Sequence, residues 1–441
     1  MPLGTENRAA SSDHLNAMTA SRRLHPAWVV LGAITLCLLA SSGVRATFAV
    51  FIKPIEADTG WSRSALSNAA AISLLLLGAI GPFAGRLADR WGPRRVIVLS
   101  LALLGLGSIL ASFMTSLGEL YATVGVLMAL GAGGAALSTG SAVVARWFET
   151  HRGAAIGVAA GGMSAGQLVM IPLASLLTDS FGWRASFLWL GLGLGALVLP
   201  VAAWLVRNTP EERGLRPFGA SGPVRTAAQA RAAQQAGRVS VTEAAQTLPF
   251  WLLVGTFFVC GYTSAGMIGT HFIPHALEHS FTSMQASAAL GVMGAMNILG
   301  TIAAGWLCDR VGRRGPLATF YFFRGLSLLF LLYVWNVPSL HFWAAIFGLN
   351  YISTVPPTTT LTANIYGRFS VGELSGWIFF AHQVGAALAA ALAGWVYEWT
   401  GSYGPAFVSA ALMAFLAAGM SLMIREEPIR TPPLQPATAT T

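Results

Sequence analysis

A chain of 441 residues that is 55% hydrophobic and only 10% charged, with a mean hydropathy of +0.63, carries more apolar surface than a water-soluble domain can bury. It reads as a polytopic membrane protein. The formal net charge of +9 would suit a nucleic-acid partner only if it formed one patch on a soluble surface, and its distribution, given below, excludes that.

The first 25 residues are polar, and the apolar run that follows is about 25 long, which fits a membrane span and exceeds a signal-peptide core. No cleavage is expected. Counting this run, stretches of the ~20 apolar residues needed to cross a bilayer lie at roughly 27–52, 65–85, 94–115, 119–145, 153–178, 184–206, 249–274, 284–307, 316–335, 340–364, 373–397 and 403–424. The polar stretch between the sixth and seventh spans includes RTAAQARAAQQAGR, which is rich in Ala, Gln and Arg and lacks an apolar face. The expected layout is an all-α membrane protein of twelve transmembrane helices in two pseudo-symmetric six-helix bundles. Its parts are an N-terminal tail over 1–26, a bundle over 27–206, a linker over 207–248, a second bundle over 249–424 and a C-terminal tail over 425–441.

An internal repeat supports the two halves. GRLADRWGPRR at 85–95 recurs as GWLCDRVGRRG at 305–315, and the same offset of 220 residues relates Phe187 to Phe407. Two matches at one period point to parallel six-span repeats, a known transporter plan. Outside the spans, every Lys and Arg falls on the side that holds both termini and the linker, except Lys53, Arg63 and Arg184. That asymmetry predicts cytoplasmic termini and accounts for the basic charge without nucleic acid.

No Asp or Glu falls in the middle of a span, whereas Arg45 in the first and Arg324 in the ninth lie deep. A cation at membrane depth costs a few kcal/mol or more on insertion scales unless it is partnered. With no protein carboxylate at that depth, the expected partner is an anion from solution, held by a guanidinium in a water-filled cavity. The competing reading for both arginines is snorkelling to the headgroups or bonding to neighbouring carbonyls. His382, beside Gln383 near the centre of the eleventh span, is either a core histidine or a cavity group. In the absence of a buried carboxylate, a histidine is the expected proton-coupling side chain. His271, toward the outer end of the seventh span, is the second candidate.

Small residues in GAGGAALSTG and GVAAGGMSAGQ allow close helix approach. Pro356 and Pro357 are expected to kink the tenth span. Cys37, Cys260 and Cys308 lie in separate apolar runs with neither disulfide nor metal spacing, so they read as small core residues. No phosphate loop or metal cluster is legible, so no enzyme activity, cofactor or metal is expected.

The duplicated loop, with Gly85, Asp89, Arg90, Gly92 and Arg94 in the first copy and Gly305, Asp309, Arg310, Gly312 and Arg313 in the second, resembles the signature of the major facilitator superfamily. The resemblance covers roughly Trp28 to Ile424. It implies that Asp89, Arg90, Asp309 and Arg310 form an ion-pair latch across the cytoplasmic ends of the halves, with Gly85, Arg94, Gly305 and Arg313 in the same gating motif. GVRATFAVF, GWSRSALS and AHQVG resemble the monocarboxylate-porter-like branch, which moves small organic anions with protons or by exchange. Unlike the animal carriers of that branch, the eighth span holds only Asn297 as a strong polar side chain. Leu127 stands four residues before Gly131-Ala-Gly133, where drug antiporters often carry an arginine.

These features predict a secondary transporter of small organic anions, monocarboxylates above all, working by alternating access with protons as the candidate coupling ion. Arg45 and Arg324 are the expected anion ligands, His382, Gln383 and Asn297 their helpers, and His382 and His271 the candidate proton carriers. The alternatives are an efflux transporter for amphipathic compounds or drugs and a transport-fold receptor without turnover. The expected setting is the bilayer of a bacterial inner membrane, as a monomer.

Overall fold

The computed structural model describes residues 25–221, 223, 224 and 226–429, so the N-terminal tail and most of the C-terminal tail lie outside the described residues. Each of the twelve apolar stretches is helical, and each starts or stops where its sequence dictates. Helix α1 comprises Pro26–Ala46 and Phe48–Thr59, with Pro26 at the first position, where its missing N–H is not needed. Helix α2 is Arg63–Trp91, capped by Ser62 and ended by Gly92 at φ 94°. Helix α3 is Pro93–Ala111, and α4 runs from Leu117 through Leu137–Trp147, entered by a capping box of Ser116 and Glu119.

The hydrogen-bonded run Arg152–Gly193 breaks at Gly182, whose φ of 79° and ψ of 165° divide α5 (152–181) from α6, which continues to Leu205. In the second half, α7 runs from Leu248 to Glu278, α8 is Ser283–Val311, α9 is Arg314–Leu331, α10 is Val337–Tyr351 with Val355–Tyr366, α11 is Val371–Thr400 and α12 is Gly404–Leu422. Gly312, at φ 89°, closes α8 as Gly92 closes α2, so the repeat is one of backbone geometry as well as sequence. Among the described residues, nine helices are long and apolar enough to cross a membrane, the α5–α6 run counting as one. The protein is an integral membrane protein with an all-α fold.

Each half buries its own core. One cluster draws only on residues from Ala27 to Val206, centred on Phe51, Trp147 and Phe187. Another lies wholly between Tyr262 and Ala411, centred on Phe272, Trp343 and Phe407. The halves meet where α2 crosses α11 and α5 crosses α8. These crossings are glycine-tight: a methyl on Gly85 would fall 2.0 Å from the Gly372 carbonyl oxygen, and one on Gly305 would fall 2.2 Å from that of Gly153. Glycine contacts between the halves extend from the face that bears the two motif loops as far as Gly78 against Gln383 and Gly161 against Ile302. Beyond that depth the described glycines touch only their own half.

The linker folds against the motif face. Its backbone pairs with the end of α4, Phe218 N–H donating to the Trp147 carbonyl at 2.8 Å, and Phe218 packs edge-on against Trp28 and tilted against Phe148. The Ala- and Gln-rich stretch forms a helix, Ala227–Ala236, started by a capping box of Thr226 and Gln229.

Candidate substrate site and motif-face gate

The motif carboxylates do not act through their neighbouring arginines. Asp89, fully buried, accepts the backbone N–H groups of Gly372 at 3.3 Å and Glu373 at 2.8 Å, in the first turn of α11. Asp309 does the same for α5, taking Gly153 N–H and Ala154 N–H at 2.8 Å each. In each case a carboxylate from one half meets the unsatisfied donors and the positive dipole end of a helix in the other. The expected Asp–Arg latch is corrected accordingly: Arg90 is exposed, and Arg310, also exposed, lies over the Trp306 ring at 4.3 Å. Arg94 and Arg313 brace their own halves. Arg94 N–H donates to Asn208 Oδ1 and its guanidinium to the Ala203 carbonyl, while Arg313 pairs with Glu426 at 3.5 Å.

Five further residues that tie this face together escape sequence reading. Arg146, buried at the end of α4, lies 3.3 Å from Asp89 and donates to the Ala88 carbonyl. Glu373 receives Arg86 of α2 on one oxygen at 2.8 Å and Arg238 of the linker on the other at 2.9 Å. Gln234, in the linker helix, donates to the Asp89 carbonyl at 2.8 Å. Their only sequence signal is position at helix ends, where charge is ordinary.

The expected ligand residues separate into two groups. Arg45, half-buried in the last turn of Pro26–Ala46, has no hydrogen-bond or ion-pair partner among the described residues. Arg324 is the opposite case: it is fully buried and donates to the Asn350 carbonyl, to the Tyr351 carbonyl at 2.8 Å, to Thr263 Oγ1 at 3.3 Å and to Cys260 Sγ at 3.2 Å. It satisfies the carbonyls freed where α10 breaks ahead of Pro356 and Pro357. Asn297 is likewise engaged, accepting Ile352 N–H at 3.0 Å and donating across the halves to Ser164 at 2.7 Å. His271 bonds the Ala390 carbonyl at 2.9 Å, the geometry of a core histidine.

His382 and Gln383 stand at the seam. The His382 ring stacks on Phe379, 10° from parallel, and contacts Phe257 of α7. Its Nδ1 meets Gln383 Oε1 at 3.0 Å, and Gln383 packs on Gly78 of α2. Toward the motif face, Ser138 and Ser141 of α4 face Thr358 and Thr359 of α10 and Ser375 of α11 around about 20 Å³ of water-accessible space, enough for a water but not for a carboxylate. The hydroxyls of Ser138 and Ser375 have no partner among the described residues. On this side the passage between the halves is closed.

Two repeated bundles, fastened to each other where carboxylates of one half meet helix termini of the other, define a membrane transporter of the two-bundle type. Comparison with known proteins agrees. The Major Facilitator Superfamily matches residues 34–390 and, again, 260–440. A Bacillus subtilis protein described as an MFS-type transporter, YcxA, is 26% identical over 386 residues, covering 85% of this chain and 90% of its own. Monocarboxylate transporter 12 of Mus musculus is 26% identical (86% and 82% covered), and monocarboxylate transporter 11 of the same species is 28% identical (80% and 75% covered). Among solved structures, a proton:xylose symporter aligns with a TM-score of 0.70 at 16% identity over 91% of this chain and 97% of its own. The human organic anion transporter MFSD10 aligns at 0.67 and 14% identity, over 90% and 100%. The chain belongs to the Major Facilitator Superfamily, on its monocarboxylate-porter-like branch, and it is a transporter rather than an enzyme.

Proposed function

We propose that the protein carries small organic anions, monocarboxylates above all, across a bacterial inner membrane by alternating access, with protons as the coupling ion. Both termini and the motif face are cytoplasmic in this reading, so the closed motif face corresponds to the outward-facing state. The observation that carries it is Arg45: a half-buried guanidinium in a membrane helix with no described protein partner is stabilised best by a ligand anion. His382 and Gln383, at the seam of the two halves, orient that anion. Arg324 contributes a fixed positive charge from behind, and Asn297 holds the break in α10. The relatives named as monocarboxylate transporters support the substrate class.

The test is a proteoliposome screen of labelled monocarboxylates with and without an imposed pH gradient. Accumulation of at least one carboxylate, enhanced by an inward proton gradient, is expected. A flat result across the series, together with transport of amphipathic drugs, would replace this reading with efflux.

A further inference from the structure

Among the described residues, Arg324 is a buried cation without a buried carboxylate beside it. Carbonyls and a hydroxyl solvate it but do not neutralise it, its Nε has no partner among those residues, and an uncompensated charge in such a site is strongly destabilising. The groups around it that can lose a proton are the Cys260 thiol and two phenols. Tyr321 presents its ring, 5.3 Å from the guanidinium, and donates its hydroxyl to the Thr256 carbonyl at 2.5 Å. Tyr351 offers Arg324 its backbone carbonyl. A thiol is also intrinsically more acidic than a phenol.

The surroundings of the Cys260 sulfur are those of an acceptor. Arg324 Nη1 points at it from 3.2 Å, Thr354 Oγ1 lies at 3.1 Å, and the His382 side chain is close to the same atom. The approach of His382 is enforced by the backbone, because Gly261 is packed so tightly on α11 that a methyl there would fall 1.8 Å from the His382 carbonyl oxygen. Cys260, Arg324 and His382 lie 12, 10 and 11 residues from the motif-face ends of their helices, about 15–18 Å deep at 1.5 Å per residue. The titratable or charged groups that face the sulfur are Arg324 and Tyr321 of α9, Tyr351 of α10 and His382 of α11. Helix α12 contains none.

We propose that Cys260 ionises against Arg324 and that this thiolate takes up and releases the coupling proton, with His382 as its relay. The inference rests on the anion-transport reading above. When a substrate carboxylate enters, its charge opposes the thiolate, and one proton passes through His382 onto sulfur to form S–H. When the carboxylate leaves, the S–H proton returns through His382 to water. Arg324 stays charged throughout, so one proton moves with one anion and no net charge crosses.

Two measurements test this. In proteoliposomes, Cys260→Ser keeps a hydrogen-bonding hydroxyl that does not ionise in the working range, so pH-driven accumulation of the labelled carboxylate should collapse to simple equilibration while its ratio to counterflow exchange falls. Accumulation at the wild-type level would overturn the proposal. In detergent, wild type minus Cys260→Ser should show ultraviolet thiolate absorbance near neutral pH that disappears on acidification and is absent in Arg324→Gln. This second readout requires no transported substrate, so it stands even if the substrate class is wrong. A thiol that remains protonated well above neutral pH would overturn the proposal on its own.

Discussion

Asp89 accepts the backbone N–H of Glu373 at 2.8 Å, and the Glu373 carboxylate is itself held between Arg86 of α2 and Arg238 of the linker. The end of α2, the start of α11 and the linker are thereby fastened at one point. Asp309 of α8, held by backbone N–H groups of α5, supplies the second fastening. Because these bonds end on backbone donors of the opposite half, they exist only while the halves are together at this face, which is what a gate requires.

Asp89→Asn should weaken closure. The amide keeps the shape but loses the charge that both the α11 terminus and the buried Arg146 require. A cysteine placed at Ser375, which lines the narrow space between the halves, should react faster with an impermeant maleimide from the motif face in this variant than in the parent. An unchanged rate would mean that the carboxylate does not contribute to the closure.

Gly85→Ala should act sterically, without any charge. The added methyl meets the Gly372 carbonyl at 2.0 Å, and backbone cannot yield as a flexible side chain can. The same Ser375 cysteine should become more reactive, and uptake should fall. The aspartate and glycine effects should be sub-additive, since both open the same seam.

The two deep arginines should separate in stability. Arg324→Ala removes bonds to two carbonyls, a hydroxyl and a thiol and leaves a void, so unfolding in detergent should be easier by about 3 kcal/mol or more. Arg45→Ala breaks no described bond and should leave the unfolding curve nearly in place. Equal destabilisation would contradict the different surroundings of the two residues.

The fold was legible because apolar runs of bilayer length cannot do much else, and the duplicated loop at 85–95 and 305–315 announced both the repeat and the family. The latch was half legible. Asp89 and Asp309 do reach across the halves, but their partners there are N–H groups of α11 and α5, which every residue other than proline owns and no sequence advertises. Arg146 and Glu373 looked like ordinary helix-end charges until packing buried them. Arg324 was visible as a charge in the membrane. That two carbonyls would receive it depended on how α10 breaks near Pro356, and that a thiol would sit beside it depended on the approach of α7 to α9. Cys260 was thus read as a small core residue.

In the proposed cycle the guanidinium of Arg45, without a partner among the described residues, receives the transported anion. It is tested most directly by uptake of a labelled monocarboxylate into proteoliposomes containing Arg45→Ala, with insertion and unfolding checked on the same sample. The expected result is loss of uptake from a protein that is inserted and as stable as wild type. Uptake at the wild-type rate would contradict it.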